Sequence, residues 1–301
     1  MKRGIVAGTF LTLLGVAFLS IGSGQSSKVH QLAPGVFYRE ADLAKHILAN
    51  TGWVVFRDYV LVIDANYPWG AKEILNDIRG TTNKPVRYVF DTHYHGDHLF
   101  GDSVWVDAGA AILCSEECTE ESRRKNPAAW ANDKGTGDYS LKPYRLEHPQ
   151  QSFRGSMVFD DGEHRVELTR IGPGHTLGDS IAYLPKERIL FTGDICVNNT
   201  GNSMADPDAN PDGWLRALDN LATKDVAILV PGHGELGTTA TLRLQRDYIA
   251  AMINGVRDAI AKSVPEADLE KSLDLTGYKP HGANVPHNQA CIRAVYAKLA
   301  K

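Results

Sequence analysis

The chain has 301 residues, 43% of them hydrophobic and 23% charged, an ordinary globular balance with length enough for a substantial buried core. Its formal net charge is -4 and it carries no long basic run, which argues against nucleic acid as a partner.

At the N-terminus, Lys2 and Arg3 precede an apolar or small stretch from Ile5 to Ile21. Ser20, Gly22, Ser23 and Gly24 then supply small residues for cleavage. Residues 1–24 read as a secretory signal peptide, which places the mature protein in the periplasm or outside the cell. The alternative is an uncleaved anchor, the only membrane contact expected. Residues 25–34 read as a linker, and 35–301 as one catalytic domain with no internal break. The four cysteines, Cys114, Cys118, Cys196 and Cys291, lack finger or ribbon spacing. An exported chain can pair them, Cys114 and Cys118 being closest in sequence, and small buried thiols are an equal reading.

The segment GVFYRE reads as a short strand. WVVFRDYVLVIDA (53–65), rich in β-branched and aromatic residues, reads as a hairpin turning at Arg57 and Asp58. AKEILNDIRG (71–80) spaces Ile74, Leu75 and Ile78 as a helix and stops at Gly80. PVRYVFDTH (85–93) is a strand. A helix, a strand at 110–115, and a polar stretch at 116–151 with a further helix follow. SMVFD, HRVELTRI, SIAYLP and RILFTGD come next as closely spaced strands. Helices are expected at 213–222, 238–262 and 287–300, with a strand at 226–232. Strands in two batches, each followed by helices, indicate two packed sheets with helices outside.

Three of the eleven histidines fall within THYHGDH (92–98). Burying such a cluster without a compensating partner is costly, and a metal ion is the natural partner. Along an extended segment His93 and His95 point the same way, while Asp97 and His98 fall where the chain turns into a helix. Imidazole and carboxylate suit zinc, iron or manganese. One short loop cannot surround two ions, and three later stretches offer further ligands: His175 in GPGHTLGDS, Asp194 in LFTGDI and His233 in PGHG. Each sits at the exit of a strand beside glycine.

THYHGDH, GHTLGDS, TGD and PGHG, in that order, resemble the metallo-β-lactamase superfamily over about residues 35–240. The resemblance implies an α/β fold, the αββα sandwich: two mixed sheets with helices on both outer faces and the metals at one edge. It implies that His93, His95 and His175 hold one metal, that Asp97, His98 and His233 hold the other, and that Asp194 bridges them. Two zinc ions per chain are the expected cofactor, iron or manganese the substitutes. Zinc β-lactamases with a cysteine ligand carry it where this chain has Asp194, so the resemblance leans toward the broader hydrolases. The leader adds a looser likeness to exported metallohydrolase-like proteins that accompany periplasmic quinoprotein dehydrogenases.

The expected chemistry is hydrolysis. Water held by two cations loses its proton near neutrality and attacks an ester, thioester, lactone or amide, β-lactams included. Asp97 is the expected catalytic group, orienting the nucleophile and moving its proton. The substrate is a small molecule, and loops at 40–53, 66–70 and 198–214 are the candidate specificity segments, with Trp53, Tyr67, Trp69 and Asn198 as contacts. Two other readings stand beside this one: a mononuclear iron oxidoreductase resembling persulfide dioxygenases, and a non-catalytic periplasmic carrier on the same fold.

Overall fold

The computed structural model describes residues 29–133, 135 and 137–300. The expected signal peptide lies outside the described residues. The expected linker at 25–34 is corrected in part, because Val29–Ala33 forms β1, paired antiparallel with β2 (Val36–Arg39). Its mixed sequence, VHQLA, carries little strand signal of its own.

A seven-stranded sheet runs in sequence order through β3 (Thr51–Val55), β4 (Val60–Ile63), β5 (Val86–Phe90), β6 (Ala111–Ser115) and β7 (Gln151–Phe153). Its first four strands are antiparallel and the pairings from β4 onward are parallel. The second sheet holds β8 (Ser156–Asp160), β9 (Arg165–Arg170), β10 (Ser180–Leu184), β11 (Ile189–Phe191) and β12 (Ile228–Val230), in the order β12-β11-β10-β9-β8. Only β11 and β12 pair in parallel there.

Period-two alternation divides each strand between two layers. Val54, Leu61, Ile63, Phe90 and Leu113 meet Val166, Leu168, Ala182, Phe191 and Val230 between the sheets. On the outer face of the larger sheet, Trp53, Val62, Val89 and Ile112 pack on Ile74 and Ile78 of α1 (Pro68–Thr81) and Trp105 of α3 (Asp102–Asp107). On the other outer face, Ile181, Leu190 and Leu229 pack beneath α5 (Pro211–Leu221), α6 (Thr239–Ala261) and α8 (Val285–Leu299). The result is the expected αββα sandwich. Among the described residues, no helix is long and apolar enough to cross a membrane.

Local chemistry sets the helix starts. Helix α1 begins at Pro68, three residues ahead of the expected Ala71, since proline fits a first helical position where no N–H partner is needed. Asn210 and Asn284 cap α5 and α8 by accepting the N–H of Gly213 and His287. The Ser115 hydroxyl does the same for α4 (Glu116–Ala131), taking the Cys118 N–H. Short β7 and the seven-residue α7 (Glu266–Ser272) were not expected from sequence.

Cys114 and Cys118 form a disulfide joining β6 to the first turn of α4, while Cys196 and Cys291 are buried free thiols. Thiol titration of denatured, unreduced protein should therefore find two reactive thiols, rising to four after reduction. Four without reductant would show the pair unlinked.

Candidate metal centre

The site forms where strand ends gather at one edge of the sandwich. Strand β5 stops at Phe90, so residues 91–95 are irregular rather than the extended run expected. His95, in extended backbone, ends that bend as the residue preceding α2 (Gly96–Leu99), which carries Asp97 and His98. His175 comes from the loop between β9 and β10. Asp194 sits in a 3-10 turn, Gly193–Ile195, after β11. His233 follows β12.

These seven side chains converge. His95 Nδ1 lies 3.1 Å from His93 Nε2 and 3.0 Å from His175 Nε2. His233 Nε2 stands 3.1 Å from Asp97 Oδ2 and 3.4 Å from His98 Nε2. Asp194 lies between the two groups: Oδ1 is 3.3 Å from His98 Nε2, and Oδ2 is 3.4 Å from His233 Nε2 and 3.7 Å from His175 Nε2. His93, His98, His175 and Asp194 form a buried floor. The His95, Asp97 and His233 side chains, each about one quarter exposed, form the rim facing solvent.

The outer nitrogen of every one of the five histidines faces an oxygen. His175 Nδ1 donates to the Ser203 carbonyl at 3.1 Å and His233 Nδ1 to the Leu48 carbonyl at 2.9 Å. His98 Nδ1 lies 3.0 Å from Asp64 Oδ2, and His95 Nε2 lies 3.3 Å from Asp206 Oδ2. The Thr92 hydroxyl donates to Asp64 Oδ1 at 2.8 Å, which leaves its oxygen to accept His93 Nδ1–H at 3.1 Å. A proton fixed on the outer nitrogen leaves a lone pair on the inner one, the state a metal ligand needs. Asp194 Oδ1 is buried with no hydrogen-bond donor. Converging lone pairs and an oxygen lacking a donor fit divalent cations.

Electrostatics divides the site. Burial, reinforced by His98 and His95, holds His93 well below its usual range. Burial and the neighbouring His95 push His175 down to about 4. Burial opposes charge on His233 too, but Asp194 and Asp97 outweigh it and raise it to about 10, so its inner nitrogen carries a proton that a bound cation would displace. Burial likewise works to raise Asp97 and Asp194, yet His98 and His233 hold both below the normal carboxylate range. One half of the centre is thus three imidazoles, two of them held neutral, and the other half is a carboxylate-rich pocket suited to a cation.

Of the expected substrate contacts, Trp53 is corrected. Its ring is fully buried on the helix-facing side of β3, stacks on Phe37 and donates from Nε1 to Thr81 Oγ1 at 3.2 Å. The alternation that makes β3 a strand turns that ring away from the site. Tyr67 and Trp69 stack on each other near the rim, and Asp97 is among the charges that disfavour ionising the Tyr67 hydroxyl, after burial. Trp69 Nε1 donates to the His46 carbonyl at 2.7 Å, tying it to the 40–53 segment. The Asn198 amide is committed to the Glu235 and Leu236 carbonyls at 3.1 and 3.2 Å, joining two loops.

Sequence reasoning missed the supporting residues. Asp64 organises His98, Thr92 and, through it, His93. Its only sequence signal was an acid closing the apolar run VLVI. Asp206 meets Tyr94 Oη, Lys125 Nζ at 3.0 Å and His95, a set drawn from three distant segments.

Known proteins share this arrangement of chain. A family model described as the metallo-beta-lactamase superfamily matches residues 47–233, more than half of the sequence. The metallo-beta-lactamase IND-1 of Chryseobacterium indologenes is 24% identical over 197 residues, covering 64% of this chain and 74% of that protein. A linear primary-alkylsulfatase of Pseudomonas sp. is 22% identical over 256 residues, 70% of this chain but only 48% of its own length. Among solved structures, a metallo-beta-lactamase from Pontibacter korlensis superposes with a TM-score of 0.62 at 20% identity, over 74% of this chain and 98% of that one.

Proposed function

The chain belongs to the metallo-beta-lactamase superfamily, whose members are generally hydrolytic enzymes, and on that premise we propose that it is an exported, dinuclear zinc-dependent hydrolase of small molecules. The observation that carries this reading is that all five outer imidazole nitrogens face an oxygen, four of them in hydrogen bonds, so that five inner nitrogens and two carboxylates are aimed at one edge of the fold. His93, His95 and His175 would hold one cation, Asp97, His98 and His233 the other, with Asp194 shared. Zinc suits this donor set best, with iron or manganese as substitutes. When bound, a cation pair acidifies water and polarises the scissile group.

The residues of the chain supply the rest. Asp97, on the exposed rim, is placed to orient a water and take its proton. Asp194 and His98, on the floor, hold charge where water has little access. Tyr67 and Trp69 give the approach an apolar side. The relatives named for β-lactam and alkyl sulfate hydrolysis set the first substrates to try, together with esters, thioesters and lactones. The leader composition motivates the periplasmic or secreted location, and the Cys114–Cys118 disulfide fits an oxidising compartment.

Elemental mass spectrometry on protein lacking residues 1–24 tests this, followed by the substrate screen with and without chelator. About two zinc ions per chain and chelator-sensitive hydrolysis are expected. A single iron with no hydrolysis would redirect the reading to oxygen chemistry. No bound metal after supplementation would overturn it.

A further inference from the structure

The loop after the Asp194 turn has an unusual support. Among the described residues, 199–205 make no backbone–backbone hydrogen bond. Backbone carbonyls without a backbone partner take donors from elsewhere, and several in and beside this loop take them from the C-terminal segment. His281 Nδ1 donates to the Thr200 carbonyl at 3.2 Å. His287 Nε2 donates to the Asn202 carbonyl at 3.0 Å, with Cys291 Sγ 3.5 Å from the same oxygen. Lys298 Nζ donates to the Asp206 and Pro207 carbonyls at 2.7 and 3.0 Å.

The other side of this loop faces the metal centre. Ser203 offers the carbonyl that fixes His175 Nδ1, and Asp206 offers the carboxylate beside His95 Nε2. The Asn202 amide donates to the Asp194 backbone carbonyl at 2.5 Å. The outer partners of His98 and His233 lie elsewhere, on Asp64 and Leu48. The support is itself rigid. Cys291, Ile292 and Val295 of α8 are buried in the outer core, and Asn288 joins the Tyr248 hydroxyl at 2.9 Å to the Gly282 carbonyl at 2.8 Å.

We propose that the C-terminal segment 281–298, which lies beyond the family-matched residues, positions the His93–His95–His175 half of the metal centre by holding the 199–207 loop from behind, and leaves the Asp97–His98–His233 half to other elements. This inference rests on the metal reading given above. His287 and Lys298 are positioning residues that act through the loop.

The test compares a Lys298→Met/His287→Leu double variant with a donor-preserving Lys298→Arg/His287→Gln double variant and the wild type. Stepwise zinc affinities are read by chelator competition. Long-range 1H–15N histidine spectra of the metal-free protein report the ring tautomers. In the first variant one of the two zinc affinities should fall about 10–100-fold, as for loss of an outer partner, while the second stays near wild type. The His175 signal should lose its fixed Nδ1–H form while His93, held by Thr92, keeps its own. The donor-preserving variant should restore both readouts. Equal weakening of both metals, or an unchanged His175 tautomer, would overturn the proposal. A wild type that binds no zinc refutes the proposed function separately, and the His175 tautomer still decides whether the segment positions that side chain.

Discussion

Asp194→Ala should empty the metal centre and abolish turnover without unfolding the protein. Its two oxygens face three imidazoles from three different segments, at 3.3, 3.4 and 3.7 Å. Among the described residues, no other carboxylate stands between both halves of the site. Removing an outer partner of a ligand typically costs 10–100-fold in metal affinity, and deleting a shared ligand should cost more than about 100-fold, with activity falling at least as far. The fold should survive with reduced stability when metal is absent. Burial opposes the charge on Asp194, but His233 and His98 outweigh it and hold the carboxyl well below its normal range. A depressed folded-state pKa stabilises the native protein at neutral pH, and that gain is lost as pH falls. Metal-free Asp194→Ala should therefore melt below metal-free wild type near pH 7, the gap closing toward acid pH. Normal turnover with full metal would sink the shared-ligand role; a metal-free variant with no cooperative melt near pH 7 would show Asp194 to be required for folding.

The positions of the seven ligand candidates were legible because each carries a local mark. Three histidines and an aspartate crowd one strand exit, and His175, Asp194 and His233 each stand beside glycine at another. The β-branched and aromatic runs on either side of Arg57 and Asp58 gave the central hairpin, and the Ile74, Leu75 and Ile78 spacing gave α1. What could not be read depends on contacts across the fold. Asp64 and Asp206 are single acids whose site partners lie 28 to 112 residues away. Trp53 looked accessible from its place at the end of the 40–53 segment, but period-two alternation gives each strand residue two possible faces. Only the packing of α1 settles which face holds the tryptophan. Strand β1 has a polar middle, His30 and Gln31, and becomes a strand through its pairing with β2. The role of the 281–298 segment at one remove from the site follows from carbonyls of the 199–207 loop that sequence cannot assign.

Gly232→Ala should reproduce much of the Asp194→Ala defect without replacing any ligand residue. A Cβ on Gly232 would lie 2.0 Å from Asp194 Oδ1 and 2.8 Å from the Gly193 carbonyl carbon. The loops cannot simply part, because the Gly232 N–H donates to the Gly193 and Cys196 carbonyls at 2.9 and 3.2 Å. The Asp194 backbone is held on its other side by Asn202. The easiest adjustment is rotation of the Asp194 side chain, which carries Oδ1 away from His98. Zinc binding should weaken by about 100-fold or more, as for a lost ligand, and overpacking should cost about 1–3 kcal/mol of stability. A double-mutant cycle identifies the cause. In an Asp194→Ala background the methyl no longer meets a carboxylate oxygen, so the stability cost of Gly232→Ala in metal-free protein should shrink. The residual cost measures the approach to Gly193. If Gly232→Ala costs the same in both backgrounds, the glycine is required by the backbone alone and the position of Asp194 does not depend on it.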